Sequence, residues 1–175
     1  MRPHEHALTE LLLKIEKEIP SENTLTLVGV GDTAMALLDL KAQTVHVDFT
    51  GEDQDMAEFS RICTNMRTAG FRIHTWKNGF VFGQQLPQDY LKASLPINAG
   101  LSRIDLRALH PLDLVVTRIE RLSETDMRDI KVCIRQFKLG KNQISKRANA
   151  LQRVGDESRF ERNLDSVLGL FEQSP

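Results

Sequence analysis

His46 and Asp48 stand two residues apart in the stretch AQTVHVDFTGE, residues 42–52. On a β-strand, residues two apart point to the same side, with their side chains roughly 7 Å from each other. Two carboxylates placed in that way could share a divalent cation. Here the first of the pair is an imidazole, which suits Zn²⁺ or Mn²⁺ better than Mg²⁺. Three readings stay open from the strand alone: a metal site, a damaged metal site, or the wet face of a sheet. A further carboxylate, Asp105, sits in SRIDLRAL, where Ile104 and Leu106 alternate with Arg103, Asp105 and Arg107. The run TLTLVGVG ends at Gly29 and Gly31, just ahead of a helix that Asp32 and Thr33 are suited to cap. A glycine turn before a helix lets backbone N–H groups approach a phosphate.

The elements that must carry these residues can be read from periodicity. HALTELLLKIEKEI repeats apolar residues at 8, 11, 12, 15 and 19, a helix with one buried stripe. TVHVDF alternates as a strand, with Val45, Val47 and Phe49 opposite His46 and Asp48. DMAEFSRICTNMRTAG is a helix with its stripe at Met56, Phe59, Ile62, Cys63 and Met66, closed by Gly70. FRIHTWKNGFVFGQ reads as a hairpin turning at Asn78-Gly79. Residues 84–100 read as loop, with Pro87 and Pro96 inside them. After His110 the chain is helical. Pro111 marks one start, and ETDMRDIKVCIRQFKLG predicts a helix burying Ile130, Cys133, Ile134 and Phe137 and ending at Gly140. The expected fold class is α/β (α+β), with a sheet domain over 1–110 and a C-terminal helical segment over 111–175.

Composition narrows the setting. A chain of 175 residues with 41% hydrophobic and 27% charged residues suits a globular protein of one domain or one with an appendage. No apolar run approaches a membrane span. MRPHEHALTELLLKIEKEIP lacks a signal-peptide pattern, because Glu10, Lys14 and Glu16 interrupt its leucines. Cys63 and Cys133 are 70 residues apart, match no metal-finger spacing, and read as reduced core residues; the expected location is cytoplasmic. The net charge of −1 hides an asymmetry: residues 1–100 carry 9 basic and 13 acidic side chains, and residues 101–175 carry 14 and 11. Within 128–153 there are eight Lys or Arg and one acid, Asp129. Such a local positive field is either a solvated helix face or a phosphate-contact surface, and the scarcity of aromatics there argues against base stacking.

Taken in order, GDTAMALLDLKAQTVHVDF (31–49) and HPLDLVVTRIERLSETDMRDI (110–130) resemble the nucleotidyltransferase-like domains of the abortive-infection and toxin–antitoxin type. Those domains carry a Gly-Gly/Ser turn, a small helix, and Thr-x-Asp-hydrophobic-Asp on the next strand, followed later by Pro-x-Asp-Leu, a Lys-containing helix and Asp-x-x-Asp-Ile. The similarity covers roughly residues 24–137. It implies a mixed sheet with flanking helices. It also implies a metal held by His46 and Asp48, with Asp105 added as a third ligand from strand alternation alone, and a phosphate turn shaped by Gly29, Gly31 and Thr33, with Arg118 touching phosphate. An active member would use Mg²⁺ or Mn²⁺ and an NTP to move a nucleotide onto an RNA or protein acceptor. A cognate toxin or antitoxin and an RNA on the basic helices 128–153 are the implied partners.

The departures from that pattern bear on chemistry. His46 occupies the first-Asp slot, so one negative charge is lost where several kcal/mol of electrostatic attraction would be needed. Asp32 stands where a second glycine or serine is expected, and its carboxylate would repel a triphosphate. Arg118 replaces the usual lysine but keeps a permanent charge. The expectation is therefore a binding or regulatory module with an impaired metal site; the alternatives are an active metal-dependent transferase, or a structural partner protein with an exposed apolar patch on its terminal helices. Asp126 and Asp129 are expected to serve as charge partners for Arg118 and Arg121, and His74 and His110 to be structural.

Overall fold

The computed structural model describes residues 3–42, 45–68 and 70–172, with side chains from residue 7. Gln43 and Thr44, at the start of the quoted strand, lie outside the described residues, as do the side chains of His4 and His6. In chain order the first elements are α1 (Pro3–Glu16), β1 (Leu25–Gly29), α2 (Gly31–Leu37), β2 (His46–Gly51), α3 (Asp53–Asn65) and β3 (Arg72–Lys77). Short pieces follow: β4 (Phe80–Val81), β5 (Gln84–Gln85), α4 (Tyr90–Ala93), β6 (Leu95–Pro96) and β7 (Ile104–Ala108). The remainder is α5 (Pro111–Ile119), α6 (Glu124–Phe137), α7 (Lys141–Ala150), β8 (Gln152–Arg153) and α8 (Glu157–Leu168), with a terminal 3₁₀ turn at Gly169–Phe171. The class is α/β, as the sequence implies.

The chain divides into two compact units. One holds residues 1–81 and 91–109; the other holds 82–90 and 110–175. The nine-residue segment 82–90, which contains β5, thus belongs to the second unit.

The first unit is built on a five-stranded mixed sheet in the order β3-β2-β1-β7-β6. β1 runs parallel to β7 and antiparallel to β2, which runs parallel to β3. Strand alternation divides the sheet into two unlike faces. Leu25, Leu27, Val47, Phe49, Ile104 and Leu106 line one face and form a single buried cluster with Leu8, Leu11, Leu12 and Ile15 of α1 and Met56, Phe59 and Ile62 of α3. Phe49 meets Phe59 edge-on at 5.5 Å, a favoured aromatic geometry. Each apolar stripe read from the sequence therefore finds its cover, which is what stabilises these helices. The opposite face carries the polar members of the same strands.

The expected hairpin at Asn78-Gly79 does not form. The turn is there, with positive φ at both residues (51° and 74°), but β3 pairs in parallel with β2 along its whole length. Turn chemistry fixes how the chain reverses; burial of the preceding strand decides which neighbour it pairs with. Gly70 does not close α3, which ends at Asn65, and Gly140 caps the start of α7 while Lys138 takes the left-handed C-cap of α6. Phe137 is 37% exposed rather than in the core.

The second unit is a helical cluster around α5, whose Leu114, Val115, Val116 and Ile119 are fully buried. Three arginines paired with four aspartates tie it together. Arg147 forks onto Asp113 at 2.5 and 2.7 Å and reaches Asp89 at 2.7 Å. Arg118 donates to Asp129 at 3.3 Å, and Arg121 donates twice to Asp126 at 2.7 Å. The pairing of both acids with Arg118 and Arg121 agrees with the structural role expected for them. Ser123 and Asp126 also form a reciprocal capping box at the start of α6. His110 caps α5 by accepting the Leu112 N–H on Nδ1 at 3.1 Å; burial pushes its pKa down. Both cysteines are free thiols, with burial raising each pKa to about 11.

Burial alone would raise the Asp126 pKa, but the Arg121 and Ser123 bonds outweigh it and hold the carboxyl at about 2. A carboxyl whose folded pKa lies below its unfolded value stabilises the fold above about pH 4 and stops doing so as pH falls through about 2. Asp126→Asn is expected to cost about 2 kcal/mol at pH 7, with the gap to wild type closing between about pH 4 and pH 2. Urea denaturation across that range checks it.

Candidate functional site

The polar face of the sheet gathers its chemistry at the β2–β3 edge. Alternation from His46 puts His46, Asp48 and Thr50 on that face. The parallel register sets Arg72, His74 and Trp76 beside them. The Asp48 Oδ1 accepts the Trp76 indole N–H at 3.0 Å, and His74 Nδ1 lies 3.5 Å from the same oxygen. The rings of His46 and His74 stack with centroids 6.2 Å apart and planes 25° from parallel. Asp48 is largely shielded, with 16% of its side chain exposed, while His74 keeps 56%.

Asp48 is held from behind by the glycine turn. The Asp48 N–H donates to the Thr33 hydroxyl at 2.8 Å, and the Val30 N–H donates to the Asp48 carbonyl at 3.0 Å. Gly31 has φ of +54°, the left-handed region that favours glycine. A Cβ on Gly29 would lie 2.7 Å from Leu37 Cδ1 and 3.1 Å from Thr33 Cγ2, so the bare backbone lets α2 sit tight against β1. Asp32 is salt-bridged to Lys41 at 3.0 Å, which offsets the charge that the sequence places in this turn.

These contacts reassign several residues. Gly29 serves the packing of α2 on β1, and Thr33 is fully buried with its hydroxyl bonded to strand β2. Arg118 belongs to the second unit, where its guanidinium, 7% exposed, is bonded to Asp129 and to the Leu114 carbonyl. It is a buried ion-pair partner of Asp129. Asp105 is not with Asp48. Asp105 is level with Thr26, whereas Thr50 is level with Val28 and Asp48 lies two residues further along. The two acids share a sheet face but are separated by four residues along it, about 13 Å, and by two interstrand spacings. Asp105 instead lies 3.4 Å from Arg107. The sequence missed His74 and Trp76 as neighbours of Asp48. Their alternation in RIHTWK is legible, but reading the segment as a hairpin arm hid its pairing with β2.

The donor set that results is one carboxylate, two imidazoles and an indole. Mg²⁺ takes oxygen ligands and needs several. The Trp76 indole N–H donates to the Asp48 carboxylate and so competes with a cation for it rather than assisting one. Among the described residues no three His, Cys, Asp or Glu side chains are placed to hold a metal ion. The residues present do not fit a Mg²⁺ site of the two-carboxylate kind.

Over residues 6–162 the chain matches the family described as nucleotidyltransferase of unknown function (DUF6036), and it belongs to that family. Comparison with curated proteins and with solved structures gives no match. The fold and the family thus agree with the class that the two sequence blocks resemble, that of nucleotidyltransferase-like proteins.

Two substitutions separate architecture from ligand contact. Gly29→Ala is expected to cost about 1–3 kcal/mol of folding stability, because Thr33 is held by its bond to Asp48 and cannot give way. Arg118→Gln is expected to cost about 3 kcal/mol, since it leaves Asp129 buried without its charge partner. Chemical denaturation of each variant, with no nucleotide present, is the check.

Proposed function

We propose that this chain is a nucleotidyltransferase-superfamily protein with an impaired metal site, acting as a nucleotide- or RNA-related binding or regulatory module. The observation that supports this reading is the surroundings of Asp48. Where a transferase would concentrate negative charge, a single carboxylate accepts from Trp76 and faces His74. Stabilising the charge that develops in phosphoryl transfer requires preorganised cations, and cations require carboxylates to hold them. His46 and His74 supply neither the charge nor the oxygen atoms. A cytoplasmic toxin–antitoxin setting, with a cognate protein partner, is the biological context that suits such a module.

Calorimetric titration of ATP, CTP, GTP and UTP, each with Mg²⁺ and then Mn²⁺, tests the reading. The expected result is no metal-dependent heat with any nucleotide, and no difference between wild type and Asp48→Ala. Metal-dependent NTP binding that Asp48→Ala abolishes would overturn it in favour of an active transferase.

A further inference from the structure

The basic run 128–153 separates, in the folded chain, into two kinds of cation. Arg147 is clamped by Asp113 and Asp89, Arg153 pairs with Glu157 and covers the Phe160 ring, and Lys141 pairs with Glu172 at 2.6 Å. Beyond the run, Arg159 pairs with Glu120. Arg128, Lys131, Arg135 and Lys138 differ. All four are exposed, and none has an acid partner among the described residues, as is also true of Lys146 on α7; Arg128 donates to the Thr125 hydroxyl at 3.0 Å.

Their spacing is that of one helix face. At about 100° per residue, positions 128, 131 and 135 fall within an arc of about 60°, spread over about 10 Å of axis, and Lys138 follows at the left-handed C-cap. Glu124, one turn earlier, is the acid on the same arc. The arc is bordered by Met127, Val132 and Ile134, all half-buried, and the Thr125 hydroxyl beside Arg128 is already bonded to it. Phe137 projects from the opposite side and offers no stacking platform next to them.

We infer that the exposed face of α6 is a binding surface for the phosphate backbone of duplex RNA, contacted by Arg128, Lys131, Arg135 and Lys138. This deepens the binding-module reading and rests on it. A face on which four cations stand with one acid, Glu124, suits a polymer recognised through its backbone. Duplex RNA is such a polymer, because its deep, narrow major groove keeps side chains from the bases. Four cations left without partners, in a unit that pairs so many others internally, form a local field for which a polyanion is the complement.

Fluorescence anisotropy with a labelled 20-base-pair RNA duplex tests this, beside a DNA duplex, a single strand and polyglutamate of matched charge. The RNA duplex is expected to bind most tightly, with log K falling against log salt at a slope of about −3 to −4. The double variant Lys131→Gln/Arg135→Gln should lose at least about tenfold in affinity and reduce the slope by about 2. Lys92→Gln, in the first unit, should change nothing. No RNA binding at 50 mM salt, an unaffected double variant, or equal binding of DNA or polyglutamate would each overturn the assignment. None of these outcomes bears on the metal–NTP titration, so the two proposals can fail separately.

Discussion

The close approach of α2 to the β1–β2 pair is the constraint on which the candidate site depends. It is possible because Gly29 has no side chain and because Gly31 can adopt a positive φ. The helix then places the Thr33 hydroxyl where it accepts the Asp48 N–H, and Val30 closes the other backbone bond to Asp48. The one carboxylate at this edge is thus positioned through its main chain, by hydrogen bonds of fixed length. A buried backbone N–H needs a partner, and removing this one would leave it unsatisfied in the interior.

The sheet converts that local constraint into a chemical environment. One face is sealed by α1 and α3, so the strands must present their polar residues on the other. Parallel pairing of β3 with β2 then brings His74 and Trp76 to Asp48. The carboxylate accepts the Trp76 indole N–H, and His74 lies 3.5 Å from the same oxygen. Mutual repulsion between clustered carboxylates is what normally makes a divalent ion welcome; a lone, hydrogen-bonded aspartate has no such need. The substitution at His46 and the presence of His74 act in the same direction.

The second unit uses charge differently. Its buried Arg–Asp pairs bring α5 into register with α6 and α7, each partner making the other tolerable away from water. Such pairs add little net stability relative to apolar replacements, but each strongly resists loss of one member. The same helices leave a line of cations on α6 without acids opposite. A run of basic residues that looks uniform in sequence is therefore two populations, one internal to the unit and one facing solvent.

Several features were determined by the sequence by itself. Apolar periodicity in α1 and α3, strand alternation in β2 and β7, and the proline signal at the start of α5 are local, and the helices and strands form where these patterns lie. The family class was legible in two blocks of residues because turn glycines and strand polarity are also local. Tertiary structure decided what met what. The register of β1 against β7 removed Asp105 from the side of Asp48, and the pairing of β3 with β2 supplied His74 and Trp76. Burial turned Arg118, Thr33 and Gly29 to structural use, and ion pairing sorted the basic run. Periodicity reports which side of an element is dry; it carries no information on which distant residue will lie across from it, since that depends on strand register and on long-range packing.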